Sequence, residues 1–150
     1  MKDGVAVPLF LGGYAAVAVL VLLWWRHRMA QIGESLENRL AAGRERVLAG
    51  PDHGGYFRGI LGNLGMLRSS AVFALTCDHL LVYPLLGPPR EVPVGEIAEA
   101  RVSKWFRGSY GLGRTYLVLR QSDGRQLVFA VRDPAPWLDA LEKCHVAISR

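Results

Sequence analysis

Residues with reactive side chains are few in this 150-residue chain, and those present stand far apart. There are two cysteines, Cys77 and Cys144, and no C-x-x-C pair, so the sequence spells neither a disulfide scaffold nor a zinc signature. In a reducing compartment both read as small buried apolar residues. Each has a histidine close by, His79 and His145, but at no metal-ligand spacing. The remaining histidines, His27 and His53, lie elsewhere, and no nucleophile elbow is present. Gly111-x-Gly113 is followed by neither Lys-Ser/Thr nor a helix, so it is not a phosphate cradle. Glu91, Glu96, Glu99, Asp123 and Asp139 show no pairing that sequence can reveal. These absences argue against an enzyme and imply no cofactor and no metal. No stripe of Lys and Arg interleaved with aromatics appears either, which excludes nucleic acid as a partner.

What the chain does have is one long apolar run. Val5 to Trp25 carries no charge over 21 residues, about 31 Å of helix at ~1.5 Å per residue, against a hydrocarbon core of ~30 Å. Eleven of these residues are Val, Leu or Phe, together favouring insertion by about 3–7 kcal/mol. Trp24 and Trp25 end the run, and Arg26 and Arg28 follow at once. Interfacial aromatics and positive flanking charge predict a single transmembrane helix over residues 1–28. The N-terminus is then outside and the remainder on the cytoplasmic side of the cell membrane, with the lipid bilayer as the first partner.

The rest divides in two. Met29, Ile32, Leu36 and Leu40 recur at helical spacing, so residues 29–55 read as a helical stalk and linker, the stalk continuing the anchor or laying its stripe on the domain. Gly50-Pro51 is expected to end that helix, and Asp52-His53-Gly54-Gly55 to be flexible. Residues 56–150 read as a small domain, mildly basic over 54–150 at twelve Lys and Arg against eight Asp and Glu.

Within it, Phe57–Leu61, Ala71–Leu75, Leu80–Leu85, Arg90–Val94, Ile97–Phe106, Thr115–Arg120 and Gln126–Val131 are expected strands. In the fifth of these, Ala98, Ala100 and Val102 should share a face. Ser122-Asp123-Gly124 suits a type I′ hairpin turn. Asp133, Pro134 and Pro136 then open an amphipathic helix carrying Trp137, Leu138, Leu141 and Ile148 on one face.

Seven short strands and a capped helix resemble the bacterial pleckstrin-homology-like domains, including their GRAM-like branch. The wording of Leu75-Thr76-Cys77-Asp78-His79-Leu80, Glu91-Val92-Pro93-Val94-Gly95-Glu96-Ile97, Asp123-Gly124-Arg125 and Asp133-Pro134 with Trp137-Leu138 is similar in style. The resemblance implies an α+β, mainly β, fold: a small bent antiparallel β-barrel capped by its C-terminal helix, with Trp137 and Leu141 plugging one mouth. Relatives that bind inositol lipids use a basic first loop. Here that stretch, Gly62 to Arg68, holds one Arg, so headgroup recognition is not implied.

The most distinctive surface is Lys104 to Arg114. It sets Trp105, Phe106 and Tyr110 among Lys104, Arg107, Arg114 and the upstream Arg101, with three glycines. Aromatics among basic residues suit contact with a lipid surface or a protein. The expected function is a membrane-anchored, non-enzymatic binding or adaptor protein that contacts another membrane protein. The alternative is a sensor of anionic lipid that uses the 104–114 loop.

Overall fold

The computed structural model describes residues 6–43, 45–57, 68–106, 109–110 and 114–149, and the side chains of 14–43, 45–57, 69–105 and 114–149. One helix, α1 (Ala6–Gly43), leads into β1 (Val47–Phe57), β2 (Arg68–Thr76), β3 (His79–Pro84), β4 (Arg90–Pro93) and β5 (Ile97–Ser103). A two-stranded hairpin follows, β6 (Trp105–Phe106) with β7 (Ser109–Tyr110). Then come β8 (Thr115–Gln121), β9 (Gln126–Val131), helix α2 (Ala135–Lys143) and β10 (Ala147–Ser149).

Two expectations are corrected here. Among the described residues no helix is long and apolar enough to cross a membrane. The apolar stretch with described side chains runs only from Tyr14 to Trp25, about 18 Å of helix, before Arg26-His27-Arg28 interrupts it. Residues 5–13 of the expected span lie outside the described side chains. The single-pass membrane assignment, with its outside N-terminus and cytoplasmic domain, therefore does not hold. Nor is there a closed barrel: one open, eight-stranded mixed sheet has the order β10-β5-β8-β9-β1-β2-β3-β4. It is mixed because β10 runs parallel to β5, while its other pairs are antiparallel. The fold is α+β.

The sheet has two apolar faces. On one, Tyr56, Phe73, Leu75, Leu80, Leu117, Leu119 and Phe129 form the main core with Trp137 and Leu141 of α2. Its aromatic centre is continuous, with ring centroids 5.5 Å apart for Tyr56–Phe129, 4.8 Å for Phe73–Phe129 and 5.2 Å for Phe73–Trp137. The indole N–H of Trp137 donates to Asp52 Oδ2 at 2.7 Å, so the buried ring keeps its polar end satisfied. On the other face, Val72, Ala74, Leu81 and Tyr83 pack under Ile32 and Leu36 of α1. The stripe read as a stalk is laid on the sheet, in the same unbroken helix as the apolar run.

An ion-pair cluster fastens the far end of α1. Arg39 donates to both carboxylate oxygens of Glu91 on β4, at 2.9 and 3.1 Å, and to Glu45 at 3.2 Å. Thr76 donates its hydroxyl to Glu45 at 2.6 Å. That bond, and then Arg39, hold the Glu45 carboxyl below the usual range, and Arg39 does the same for Glu91.

Several boundaries differ from the sequence reading. The segment read as a linker is strand: β1 starts at Val47, and Gly54, Gly55, Tyr56 and Phe57 are buried in it. Pairing with β2 shifts register on either side of Ala49, so Gly50-Pro51 is absorbed as an irregularity within the strand. On β5 a register shift between Ile97 and Glu99 leaves only Ala100 buried of the three alanine and valine positions expected to share a face. At the β8–β9 turn Gly124 takes φ 84° and Asp123 does not, so the loop is the three-residue kind rather than type I′. Asp133 accepts from the Ala135 N–H at 3.0 Å, but the N-cap position expected of it is held by Pro134, whose carbonyl accepts the first helical bond. Helix α2 nevertheless stops at Lys143, where His145 at φ 63° turns the chain into β10.

Candidate functional site

The structure brings together two groups of residues that lie about ninety positions apart in sequence. Ile32 and Leu36 fix α1 over β2 and β3, so the turns before them, bearing Trp25, Arg26 and Met29, overhang β1. Beneath that overhang the sheet surface is low. Gly55 stands opposite Ser70 on the face that α1 covers and has no side chain to fill the gap. Gly54 is required for a separate reason: a Cβ there would sit 2.2 Å from the Ala130 carbonyl oxygen and 3.0 Å from the Phe73 ring.

The result is a cleft of about 740 Å³, lined by Trp25 and Arg26 above, His53, Ser69 and Ser70 below, and Arg114 at the side. Ser70 alternates with Val72 and Ala74 along β2, which places it on the face that α1 covers. Among the described residues the lining includes no carboxylate. Among the described residues neither Arg26 nor Arg114 forms an ion pair, whereas Arg39, Arg120 and Arg125 each have one. Ser69 spends its hydroxyl on the Ser70 carbonyl, at 3.1 Å.

The expected loop site is brought together only in part. Trp105 and Lys104 are exposed, Trp105 at 60% of its surface. Trp105 pairs with Tyr110 and Phe106 with Ser109 in the β6–β7 hairpin. The Ser103 hydroxyl accepts from the Trp105 N–H at 3.1 Å and donates to the Trp105 carbonyl, which fixes the strand entering that hairpin. The side chains of Phe106 and Tyr110, and all of Arg107, lie outside the described residues. Arg114 belongs to the cleft. Of the flank residues, Trp24 points to solvent and Arg28 bonds Gln31 along the helix at 3.4 Å. Only Trp25 and Arg26 reach the cleft.

His53, Ser69 and Ser70 were not anticipated. Nothing local marks them; their alignment follows from the β1–β2 register, with Gly55 opposite Ser70 and Tyr56 opposite Ser69.

A second cleft brings both cysteines together. It is about 460 Å³ and is lined by Cys77, Asp78, Gly95, Lys143, Cys144 and His145 among others. Burial, followed by the nearby Cys77 and Asp78, pushes the Cys144 thiol up. A raised thiol is a poor nucleophile and a poor metal ligand at neutral pH. Among the described residues no group of three or more His, Cys, Asp or Glu is placed to hold a metal ion.

No protein-family model matches the chain. No curated protein matches it in sequence.

Proposed function

We propose that the protein is a non-enzymatic binding module that acts as an adaptor, seating a protein partner on the first described turns of α1. One observation carries this reading. Nine large apolar side chains between Tyr14 and Trp25 are each 41–76% exposed, with Val and Leu on every side of the helix. Helices that are apolar all round are covered by something, and an uncovered apolar surface of this extent marks contact with a partner. The exposed Trp105 on a hairpin outside the main sheet offers a second anchor of the type that dominates protein interfaces. The resemblance to pleckstrin-homology-like domains belongs to the same proposal. A run of strands followed by an amphipathic helix supports it, and because fold alone does not choose between lipid and protein, the exposed side chains carry the choice.

Photo-crosslinking groups placed at Leu20 and at Trp105 of the full chain in its native cells test the reading. A discrete adduct with one other protein, lost on Leu23→Glu, is expected. Adducts only with the chain itself, or none, would overturn it. Contact of the Trp105 hairpin with anionic lipid is the second reading, favoured by the exposed Lys104 beside it. Sedimentation with anionic vesicles that Trp105→Ala abolishes would move it ahead; vesicles that never retain the chain end it.

A further inference from the structure

We propose that the cleft between α1 and β1–β2 is a binding site for a small phosphorylated ligand, its phosphoryl group held between Arg26 and Arg114 and its body against Trp25. This does not depend on the adaptor reading, with which it shares only Trp25.

Charge is the first argument. Among the described residues the charged side chains lining the cleft are the guanidiniums of Arg26 and Arg114. Like charges gathered in one cleft repel one another, more weakly where, as here, they are exposed to solvent. Among the described residues neither arginine has a carboxylate partner, a state they share with Arg28, Arg46, Arg90, Arg101 and Arg132, whereas Arg39, Arg120 and Arg125 are paired. An anion in the cleft removes that repulsion.

Geometry is the second. Guanidiniums present parallel N–H donors that match the oxygens of a phosphate, and hydroxyls such as Ser70 on the cleft floor supply further donors. The two arginines come from different elements, α1 and the start of β8, so they close on a ligand from two sides.

Size and polarity are the third. At about 740 Å³ the cleft exceeds what one inorganic ion fills and lies in the range of small-molecule sites. Trp25, 41% exposed, offers a ring face to a planar or apolar group. A phosphomonoester with a ring attached, of which a nucleoside monophosphate is the simplest soluble probe, fits these features better than phosphate alone.

Calorimetric titration of the full chain with adenosine monophosphate and with inorganic phosphate, against sodium chloride of equal ionic strength, tests this. The expected result is saturable binding of the nucleotide, with inorganic phosphate at least tenfold weaker. Arg26→Gln and Arg114→Gln should each weaken the nucleotide at least tenfold, Trp25→Ala should bring its affinity down to that of phosphate, and Arg125→Gln should change nothing. Circular dichroism of each variant separates a lost site from a lost fold, and Arg114→Lys, which keeps the charge, should retain part of the affinity. A third arm uses vesicles containing phosphatidic acid. Retention there without binding of the soluble nucleotide assigns the phosphomonoester to a lipid headgroup and overturns the small-ligand proposal. No saturable heat up to ~20 mM of either soluble ligand, weaker than a Kd of about 1 mM by a wide margin, would also overturn it. So would variants at Arg26 and Arg114 that bind like the parent.

Discussion

Leu36→Ala is the substitution that most directly asks whether α1 belongs to the folded unit. Leu36 is fully buried, and its neighbours Val72, Ala74, Leu81 and Tyr83 lie on two strands paired along five positions. Removing three buried carbons forfeits ~2.4 kcal/mol of transfer free energy at ~0.8 each. The sheet beneath is held in register and cannot rise to fill the space. If roughly 40 Å³ stays open, the cavity adds ~1 kcal/mol. The sum, ~3 kcal/mol, is also in the middle of what buried Leu→Ala changes cost. Among the described side chains of α1 only Ile32 and Leu36 are buried, with Met29 and Leu40 half-covered, so the loss falls on helix docking before it reaches the sheet. Hydrogen exchange resolves this: amides of residues 30–40 should lose about a hundredfold in protection, tenfold for every ~1.4 kcal/mol. The control is Leu86→Ala, 67% exposed in a turn, which should change stability by less than ~0.5 kcal/mol. Unchanged protection over 30–40, or an equal effect at Leu86, would refute the docked helix.

Three further outcomes are expected. Gly54→Ala, whose Cβ would stand 2.2 Å from the Ala130 carbonyl oxygen, should separate β1 from β9 and lower the thermal midpoint sharply; a midpoint within ~1 °C of the parent would contradict the packing. In a double-mutant cycle, Trp137→Phe and Asp52→Ala should couple by about 1.5–3 kcal/mol, the value of a hydrogen bond to a charged group, and additive effects in urea unfolding would deny the 2.7 Å bond. Because the folded-state values of Glu45 and Glu91 are depressed, their stabilisation is complete above the unfolded carboxylate value of ~4.3 and is lost as pH falls through the folded values. Stability should therefore decline below about pH 5 with a slope that Glu45→Gln reduces, and an unchanged slope in that variant would remove Glu45 from the account.

How much of this was legible in the sequence depends on the range of the interactions involved. Strands β2, β3, β8 and β9 were, because alternating or continuous apolar runs between turn signals report local pairing. Leu117 and Leu119 do share a core with Leu127, Phe129 and Val131. Residues 58–61 of the expected first strand lie outside the described residues, and the strand before them was read as a linker because Gly50-Pro51 and Gly54-Gly55 carry that composition. What makes them strand is the approach of β2 and β9 on either side, which no window of sequence contains. Helix α2 ends early because His145 takes the left-handed conformation usually given to glycine, so the stop signal was absent. The apolar run misled for a different reason: hydropathy counts residues, but Arg26-His27-Arg28 and the docked stripe of Ile32 and Leu36 follow in one continuous helix. Of the candidate site, the sequence supplied Trp25, Arg26 and Arg114 as members of two separate groups. Their meeting with His53 and Ser70 rests on where α1 is seated.

That seating links the pieces energetically. Arg26 stands over the cleft only while Ile32 and Leu36 stay on β2 and β3, and Arg39 holds the following turns to Glu91 and Glu45. A ligand that bridges Arg26 and Arg114 therefore binds only the docked arrangement, and must stabilise docking by the same free energy by which docking favours binding. Leu36→Ala, at a position that does not line the cleft, should weaken the nucleotide in proportion to the undocked fraction, and saturating nucleotide should restore protection to the amides of residues 30–40. Lowering the pH through the depressed values of Glu45 and Glu91 should act in the same direction, by loosening Arg39. Should Leu36→Ala lose helix protection yet bind nucleotide like the parent, the cleft would not need α1, and Arg26 would be dismissed from the site.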